Sequence, residues 1–130
     1  MLEQRGIEDK GGTMRLGAYD CDIAEDTLAH RLYGVERITE RHRHRFEFNN
    51  GYLERLSEAG LVASGVHPEL GLVEIVELPD DPFFIGVQFH PEFQRRPLAP
   101  HPVFRGFVAA ARANERGTAS KRRVPQDCGA

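Results

Sequence analysis

Residues 83–89 read Phe-Phe-Ile-Gly-Val-Gln-Phe, a run that would place apolar side chains on both faces of a β-strand. A strand with one face in water would instead alternate apolar and polar residues, so this run is typical of a strand inside a sheet that helices cover on both sides. The run therefore favours an α/β layer structure with this strand near its centre. At its carboxyl end it delivers His90, Pro91 and Glu92.

Shorter elements are predicted on either side of this strand. Strand-like runs cover residues 14–23, 37–47, 61–66 and 72–78, and helix signals cover 26–34, the segment from Asn49 or Asn50 to Gly60, and a helix starting at Pro102. In the second helix Leu53 and Leu56 should point inward. The C-terminal helix has an apolar stripe at i, i+3, i+4 and i+7 that we expect to lie against the central strand, formed by Phe104, Phe107, Val108 and Ala111.

Charge and composition exclude several classes of function. The chain has 17 basic and 20 acidic residues and a net charge of −3, which gives it no positive surface for nucleic acid or anionic lipid. No run approaches the roughly 18 apolar residues of a membrane span, and the first residues do not resemble a signal peptide. The two cysteines, Cys21 and Cys128, are far apart in sequence, which suits reduced thiols. We expect a cytoplasmic protein without a membrane or nucleic-acid partner.

The pair His90 and Glu92 is the strongest candidate for chemistry. Ligands bind at the carboxyl ends of the strands in open α/β folds, and this pair follows such a strand. A glutamate that accepts a hydrogen bond from one imidazole nitrogen fixes the tautomer, so the other nitrogen can take a proton from a thiol and return it to a leaving amine. The pair would then be two members of a Cys-His-Glu triad. The alternative is a histidine that merely ends a strand beside a helix-capping glutamate.

A second cluster, residues 41–45, alternates arginine and histidine. In an extended segment the arginines would lie on one face and the histidines on the other. Histidines at i and i+2, His42 and His44, could chelate a metal together with His90, but the flanking arginines oppose a dication and no further ligand is suitably spaced, so no metal site is expected.

These segments carry a resemblance to a known family. Residues 88–92, Gln-Phe-His-Pro-Glu, resemble the signature of class I glutamine amidotransferases, which release ammonia from glutamine through a cysteine thioester. Further segments are similar to CTP synthases in the same order, namely residues 10–17, 40–47 with 49–50, 71–74, and 82–84 with 101–102. The resemblance spans most of residues 4–116 and leaves out the last fourteen.

The resemblance implies a fold and a set of site residues. The fold would be an incomplete three-layer class I glutamine amidotransferase (flavodoxin-like) α/β domain, with its C-terminal half at 1–116, a lid-like loop at 1–13 and a disordered tail at 117–130. His90 and Glu92 match the catalytic histidine and glutamate of the family. Arg45 matches the residue that binds substrate glutamine, since a guanidinium suits its α-carboxylate; taken alone, Arg45 would be read as part of a surface ion pair.

The resemblance also implies a reaction that this chain cannot complete. Full-length relatives hydrolyse glutamine to supply ammonia for the ATP-dependent amination of UTP to CTP, use Mg²⁺ and a GTP activator, and form homotetramers. The family's nucleophile lies in a Gly-x-Cys-x-Gly turn that this sequence lacks, and neither Cys21 nor Cys128 has that setting. We therefore expect the chain alone to be inactive and to bind no cofactor, its partners being the missing synthase domain and the N-terminal half of the glutaminase domain.

Two other interpretations stay open at this point. The chain could belong to another class I glutamine amidotransferase or to a γ-glutamyl hydrolase, since the Gln-Phe-His-Pro-Glu segment is shared among these. It could also be a non-catalytic regulatory subunit. In each case, a central strand without its neighbours on one side would leave unpaired backbone at the edge of the sheet.

Overall fold

In a computed structural model, residues 14–94 and 98–122 are described, with side chains as far as residue 117. The strands are β1 (Arg15–Ile23), β2 (Arg37–His44), β3 (Val62–Val66), β4 (Val73–Glu77) and β5 (Ile85–Val87), and the α-helices are α1 (Leu28–Tyr33), α2 (Leu53–Glu58) and α3 (Pro102–Arg122). The strands form one sheet in the order β2-β1-β3-β4-β5, with antiparallel neighbours. No helix in the described ranges is long and apolar enough to cross a membrane.

β1 and β2 pair in antiparallel fashion, and residue alternation along β2 sets which of its side chains are buried. Along β2 the buried positions are Ile38, Glu40 and His42, whereas Arg41 and Arg43 are exposed. The predicted separation of arginines from histidines is therefore confirmed. Because side chains alternate across a strand, this register also decides which polar groups enter the interior.

Local capping residues define both ends of helix α1, and a carboxylate that is distant in sequence binds its N-terminus. The Thr27 side chain accepts a hydrogen bond from the His30 amide at 3.1 Å, and the helix stops at Gly34, whose φ of 71° is in the left-handed region that glycine tolerates. The Glu77 carboxylate of β4 accepts hydrogen bonds from the amides of Leu28 and Ala29, at 2.8 and 3.0 Å. These bonds satisfy amides that a helix N-terminus otherwise leaves unpaired and fix α1 against the sheet.

The apolar core lies between the sheet and α1. Its buried members are Cys21, Ile23, Ala29, Ile38, Ile75 and Phe89. Gly65 of β3 lies directly beneath this cluster, where an added Cβ would be 2.6 Å from Cγ1 of Ile75 and 2.8 Å from Sγ of Cys21. Only a glycine lets β3 approach the core this closely.

The central strand is shorter than predicted, and, as expected for a strand without neighbours on one side, it lies at the edge of the described sheet. β5 comprises only Ile85–Val87, and it ends the sheet, pairing with β4 alone among the described strands. Phe83 and Phe84 precede the strand rather than belong to it. The strand is shorter because an apolar run indicates a need for cover on both faces and does not fix how many of its residues pair with a neighbouring strand.

Two predicted inward faces are also wrong. Leu56 of α2 is exposed, and so are the stripe residues of α3, Phe104, Phe107 and Val108. α3 instead turns Val103 and Gly106 inward, toward α1 and Phe83. The stripe is therefore largely exposed, although the ring of Phe107 meets that of Phe83 with centroids 5.9 Å apart.

Two predicted segments fall partly or wholly beyond what is described. Residues 1–13, the lid-like loop, lie outside the described residues. α3 continues to Arg122, so the start of the predicted tail is helical, and residues 123–130 lie outside the described range.

We expect Gly65→Ala to destabilise the fold. The added methyl would meet Ile75 and Cys21 at less than a normal contact distance, and overpacking of this kind costs about 1–3 kcal/mol. Urea denaturation of the purified chain measures the change in the free energy of unfolding. Gly117→Ala is the matched control, because its Cβ meets nothing within 4 Å in α3 and should stabilise the helix by up to about 1 kcal/mol. An unchanged stability for Gly65→Ala would contradict this packing.

Candidate functional site

His90 and Glu92 lie together just after β5. Nδ1 of His90 is 2.7 Å from Oε1 of Glu92, and both side chains are partly exposed, at 35% and 47%. Pro91 and Glu92 begin a short 3-10 turn, Pro91–Gln94, which brings the carboxylate back toward the ring. The structure thus unites two of the three predicted site residues.

Backbone hydrogen bonds fix the position of the segment that carries His90 and Glu92. The His90 amide donates to the carbonyl of Arg41 in β2 at 2.9 Å, and the Gln88 amide donates to the carbonyl of Glu74 in β4 at the same distance. The His90 ring also stacks on Phe93, with centroids 4.9 Å apart and planes at 18°. The chain after β5 therefore crosses from β4 to β2 and holds the imidazole over that junction.

The geometry determines what the imidazole can do. An ionised carboxylate only accepts hydrogen bonds, so the contact with Glu92 requires the proton to be on Nδ1. The neutral ring then has its lone pair on Nε2, which makes no hydrogen bond with any residue in the described part of the chain. A histidine in this state is suited to act as a general base and then as a general acid.

Among the described residues, no contact links Arg45 to His90 or Glu92. It follows the last residue of β2, is exposed, and makes no hydrogen bond or ion pair within the part of the chain that the structure describes. Its neighbours, in contrast, are anchored, since Nε2 of His44 is 3.0 Å from Oε1 of Glu47. The guanidinium therefore projects from a fixed segment and is available to an anionic ligand.

The anchor beneath this segment is a buried charge cluster that the sequence did not predict. Nη1 of Arg15 lies 2.6 Å from Oε1 of Glu74 and 3.3 Å from Oε2 of Glu47, and the Arg15 and Glu74 side chains are almost fully buried. The guanidinium carbon of Arg15 also lies 4.4 Å from the ring centroid of Tyr19. Burial raises the pKa of the Glu74 carboxyl, and the nearby Arg15 charge opposes that rise.

His42 lies in the same cluster and is held neutral. Burial, helped by the positive charge of Arg15, lowers its pKa to about 3. Its Nδ1 is 3.6 Å from Oε2 of Glu74, but with a neutral ring this is a polar contact and not an ion pair. The ring also meets Phe89 edge-on, with centroids 5.9 Å apart.

A second buried cluster joins α3 to β2. Nε2 of His101 is 2.7 Å from Oε1 of Glu40, and the hydroxyl of Tyr33 donates to the same oxygen at 3.0 Å. Burial, with the Glu40 charge, raises the pKa of the Tyr33 hydroxyl, which keeps it a donor. Nδ1 of His101 accepts from the Val103 amide at 3.3 Å, so the same imidazole caps α3.

Sequence reasoning missed these clusters, although one signal was present. Arg15 lies on the same face of β1 as Cys21 and Ile23. Its side chain therefore had to enter the same interior, where a charge needs a partner. Nothing local marked Glu74 as the partner of Arg15, or Glu40 as the partner of His101, because both contacts join residues far apart in the sequence.

Cys21 is unsuited to be a nucleophile. It is fully buried in β1, and burial, together with the Glu74 carboxylate, raises its pKa to about 12. A thiol in this setting stays protonated and unreactive. Cys128 lies outside the described residues. Within the described ranges no group of three potential ligands could hold a metal ion.

Comparisons with known proteins place this geometry in a family. The family model for class I glutamine amidotransferases matches residues 1–110. CTP synthase of Flavobacterium psychrophilum is 64% identical over 111 residues, which are 85% of this chain and 21% of that protein. CTP synthase of Chloroflexus aurantiacus is 62% identical over 111 residues, covering 85% and 20%. This chain thus spans about a fifth of the length of these curated relatives.

Solved structures agree with the sequence comparison. The glutaminase domain of Trypanosoma brucei CTPS with bound acivicin is 38% identical, with a TM-score of 0.77 over 85% of this chain and 44% of that one. A GMP synthase component from Thermoplasma acidophilum, 16% identical with a TM-score of 0.62 over 85% of this chain and 50% of that one, shares the fold. The chain belongs to the class I glutamine amidotransferase family and corresponds to part of the glutaminase domain of CTP synthases. The predicted partial amidotransferase fold is confirmed.

The lowered pKa of His42 predicts a loss of stability in acid. Between about pH 6.5 and 3 the unfolded chain binds a proton at this histidine that the folded chain does not, so His42 lowers the free energy of unfolding as the pH falls through that range. Glu74 acts in the opposite sense, because its raised pKa lets the folded chain bind a proton first.

Urea denaturation at several pH values from about 7 down to 4 measures this dependence. His42→Asn should flatten the acid-side fall, whereas Arg43→Gln, on the exposed face of the same strand, should leave it unchanged. An equally steep fall in His42→Asn would show that other groups govern it.

Proposed function

We propose that this chain supplies the histidine and the carboxylate of the glutaminase site of a CTP synthase, in which glutamine hydrolysis provides ammonia for the ATP-dependent amination of UTP to CTP. The single observation that carries the proposal is the 2.7 Å contact between Nδ1 of His90 and Oε1 of Glu92 at the end of β5. It stands in a segment about 60% identical to CTP synthases.

The proposed role of His90 is to carry a proton in each of the two steps of the reaction. Nε2 of His90 takes the proton from a cysteine thiol as the sulfur attacks the glutamine side-chain carbonyl. The resulting imidazolium, stabilised by the Glu92 carboxylate, gives that proton to the departing ammonia and leaves a thioester. His90 then accepts a proton from the water that attacks the thioester, and the proton returns to the cysteine when glutamate is released.

We propose that the cysteine comes from a polypeptide portion outside these 130 residues. Cys21 is sealed in the core, and the sequence holds no Gly-x-Cys-x-Gly turn to supply an oxyanion hole. We therefore propose that the chain alone does not hydrolyse glutamine. ATP, Mg²⁺ and the GTP activator belong to the full-length enzyme, which we propose to be a cytoplasmic homotetramer, and no residue of this chain is assigned to hold them.

Arg45 is proposed to bind the α-carboxylate of glutamine. Its exposed guanidinium can offer paired donors to a carboxylate, and the contacts of His44 and Glu47 restrain the segment that carries it. The restraint matters because binding then loses less conformational freedom.

A chimeric enzyme tests the catalytic pair. We expect the Flavobacterium psychrophilum CTP synthase to keep glutamine-dependent CTP formation when its matching 111 residues are replaced by those of this chain. In that chimera His90→Ala should lower the glutamine-dependent rate by about 1,000-fold or more, because the proton carrier is lost. CTP formation from added ammonia should persist, since it bypasses glutamine hydrolysis.

The control for this experiment is His30→Ala, which removes a histidine of α1 and should leave both rates within a few-fold. Glu92→Gln should give a smaller loss than His90→Ala, because an amide can still hold the ring without stabilising its charge. Full glutamine-dependent activity in His90→Ala would exclude the proposed chemistry.

Substitution of Arg45 separates binding from catalysis. In the same chimera Arg45→Lys should raise KM for glutamine about tenfold or more with little change in kcat, because an ammonium cannot reproduce the paired guanidinium contacts. Arg43→Lys, two residues earlier on the exposed face of β2, is the matched control and should behave as the parent. A fall in kcat at constant KM would assign Arg45 to the chemical step instead.

A further inference from the structure

The segment that carries His90 and Glu92 is attached to the outer edge of β2. Among the described strands, β2 ends the sheet and pairs with β1 alone. Its Arg41 carbonyl accepts a hydrogen bond from the His90 amide at 2.9 Å, and its Thr39 carbonyl accepts one from Nε2 of Gln94, also at 2.9 Å. Carbonyls two residues apart lie on the same side of a strand, so both bonds use the edge that faces away from β1.

These two bonds hold the first and the last residue of segment 90–94, which we call the histidine turn. Between its ends, Pro91 is buried, and the Phe93 amide donates to the His90 carbonyl at 3.1 Å. The backbone of the histidine turn is therefore restrained at both ends and closed in the middle. A side chain within such a turn can restrain the side chain of a neighbour.

The ring of Phe93 covers one face of the His90 imidazole. Their centroids are 4.9 Å apart and their planes differ by 18°, so the rings are stacked. Phe93 is 46% exposed, and burial in the core therefore does not account for its position. Glu92 holds the imidazole at Nδ1 in the plane of the ring, whereas Phe93 holds it from one face. Together these contacts restrain rotation of the ring and hence the direction of Nε2.

We propose that Phe93 and Gln94 are positioning residues for His90: Gln94 holds the histidine turn against β2, and Phe93 holds the plane of the imidazole. The proposal rests on the proposed function, in which His90 exchanges a proton through Nε2, and it adds the residues that direct this nitrogen. A base must lie within hydrogen-bonding distance of the proton that it takes. Misplacement by about 1 Å can lower a rate by about 100-fold.

The stack has a second effect on the proposed reaction. The imidazole becomes positively charged when it accepts the thiol proton, and the face of an aromatic ring attracts positive charge. Phe93 therefore stabilises the form of His90 that exists between the two proton transfers. A leucine of similar bulk would fill the space without supplying this attraction.

Nuclear magnetic resonance of the purified chain tests the geometry without relying on catalysis. With nitrogen-labelled histidine, the ring shifts of His90 report which nitrogen of the neutral imidazole carries the proton, and His90→Ala assigns the signal. In the parent we expect the proton on Nδ1 and ring protons shifted upfield by Phe93. Phe93→Leu should remove that upfield shift. Gln94→Met keeps the size but lacks the donor, so Glu92 should be held less well and both tautomers should appear.

The chimeric CTP synthase tests the effect on catalysis. Phe93→Leu should lower kcat for glutamine-dependent CTP formation about tenfold or more at nearly constant KM for glutamine, because orientation is lost in the chemical step and not in binding. Phe93→Tyr keeps the aromatic face and should retain most of kcat. Phe84→Leu is the matched control, because it makes the same change at a phenylalanine that is 43% exposed, and it should behave as the parent. CTP formation from added ammonia should be unchanged in each variant.

A double variant tests whether the two residues act through one ring. Gln94→Met alone should also lower kcat at nearly constant KM. Phe93→Leu with Gln94→Met should lose less than the product of the two single losses, because both substitutions release the same imidazole. Independent losses that multiply would contradict a shared action on His90.

Two further results would overturn the positioning roles. One is a set of His90 signals that neither Phe93→Leu nor Gln94→Met changes. The other is a fall in kcat that accompanies an equal loss of stability in urea, which would assign both residues to the fold instead. A chimera that uses added ammonia but no glutamine, with the His90 signals as expected, would remove the proposed function and leave the positioning of the ring intact.

Discussion

The hydrogen bond from the His90 amide to the carbonyl of Arg41 sets the geometry on which the site depends. β5 is three residues long and, among the described strands, pairs with β4 alone, so pairing would not by itself define the path of the following segment. The bond draws the segment after β5 from β4 across to β2 and inserts Phe89 into the core. Because Phe89 is buried and the His90 amide is hydrogen-bonded, the imidazole of His90 can adopt few orientations. The Glu92 carboxylate then reaches its Nδ1.

Buried polar clusters on either side of Phe89 reinforce this arrangement. The ring of Phe89 meets His42 of one cluster and His101 of the other. The first cluster joins β1 to β4 through Arg15 and Glu74, and the second joins α3 to β2 through His101 and Glu40. Such pairs add little net stability once desolvation is counted, but a shift of one residue in the β1–β2 register would move these side chains to the other face and leave buried charges unpaired. They therefore specify which residues of distant segments face one another.

Local signals in the sequence predicted most of what is local in the structure. Alternation predicted β2 and its exposed arginines. Gly34 and Gly60 predicted the ends of α1 and of the α2 segment. The spacing of His90 and Glu92 predicted their contact. The errors concern long-range relations. An apolar pattern on α3 indicates that a face is suited to burial, yet it does not say what would cover that face. For the same reason the partners of Arg15 and His101 could not be named, because those contacts join strands and helices that are remote in the chain.

The sealed environment of Cys21 gives the molecule an internal reporter of its own opening. A thiol that is inaccessible and protonated in the closed state reacts with an alkylating reagent only while β1 has separated from its neighbours. With Cys128 replaced by serine, the rate of alkylation would follow the population of such open states in the intact chain. Any partner that rigidifies the sheet would slow that reaction, so the same atom reports on assembly without a label being added.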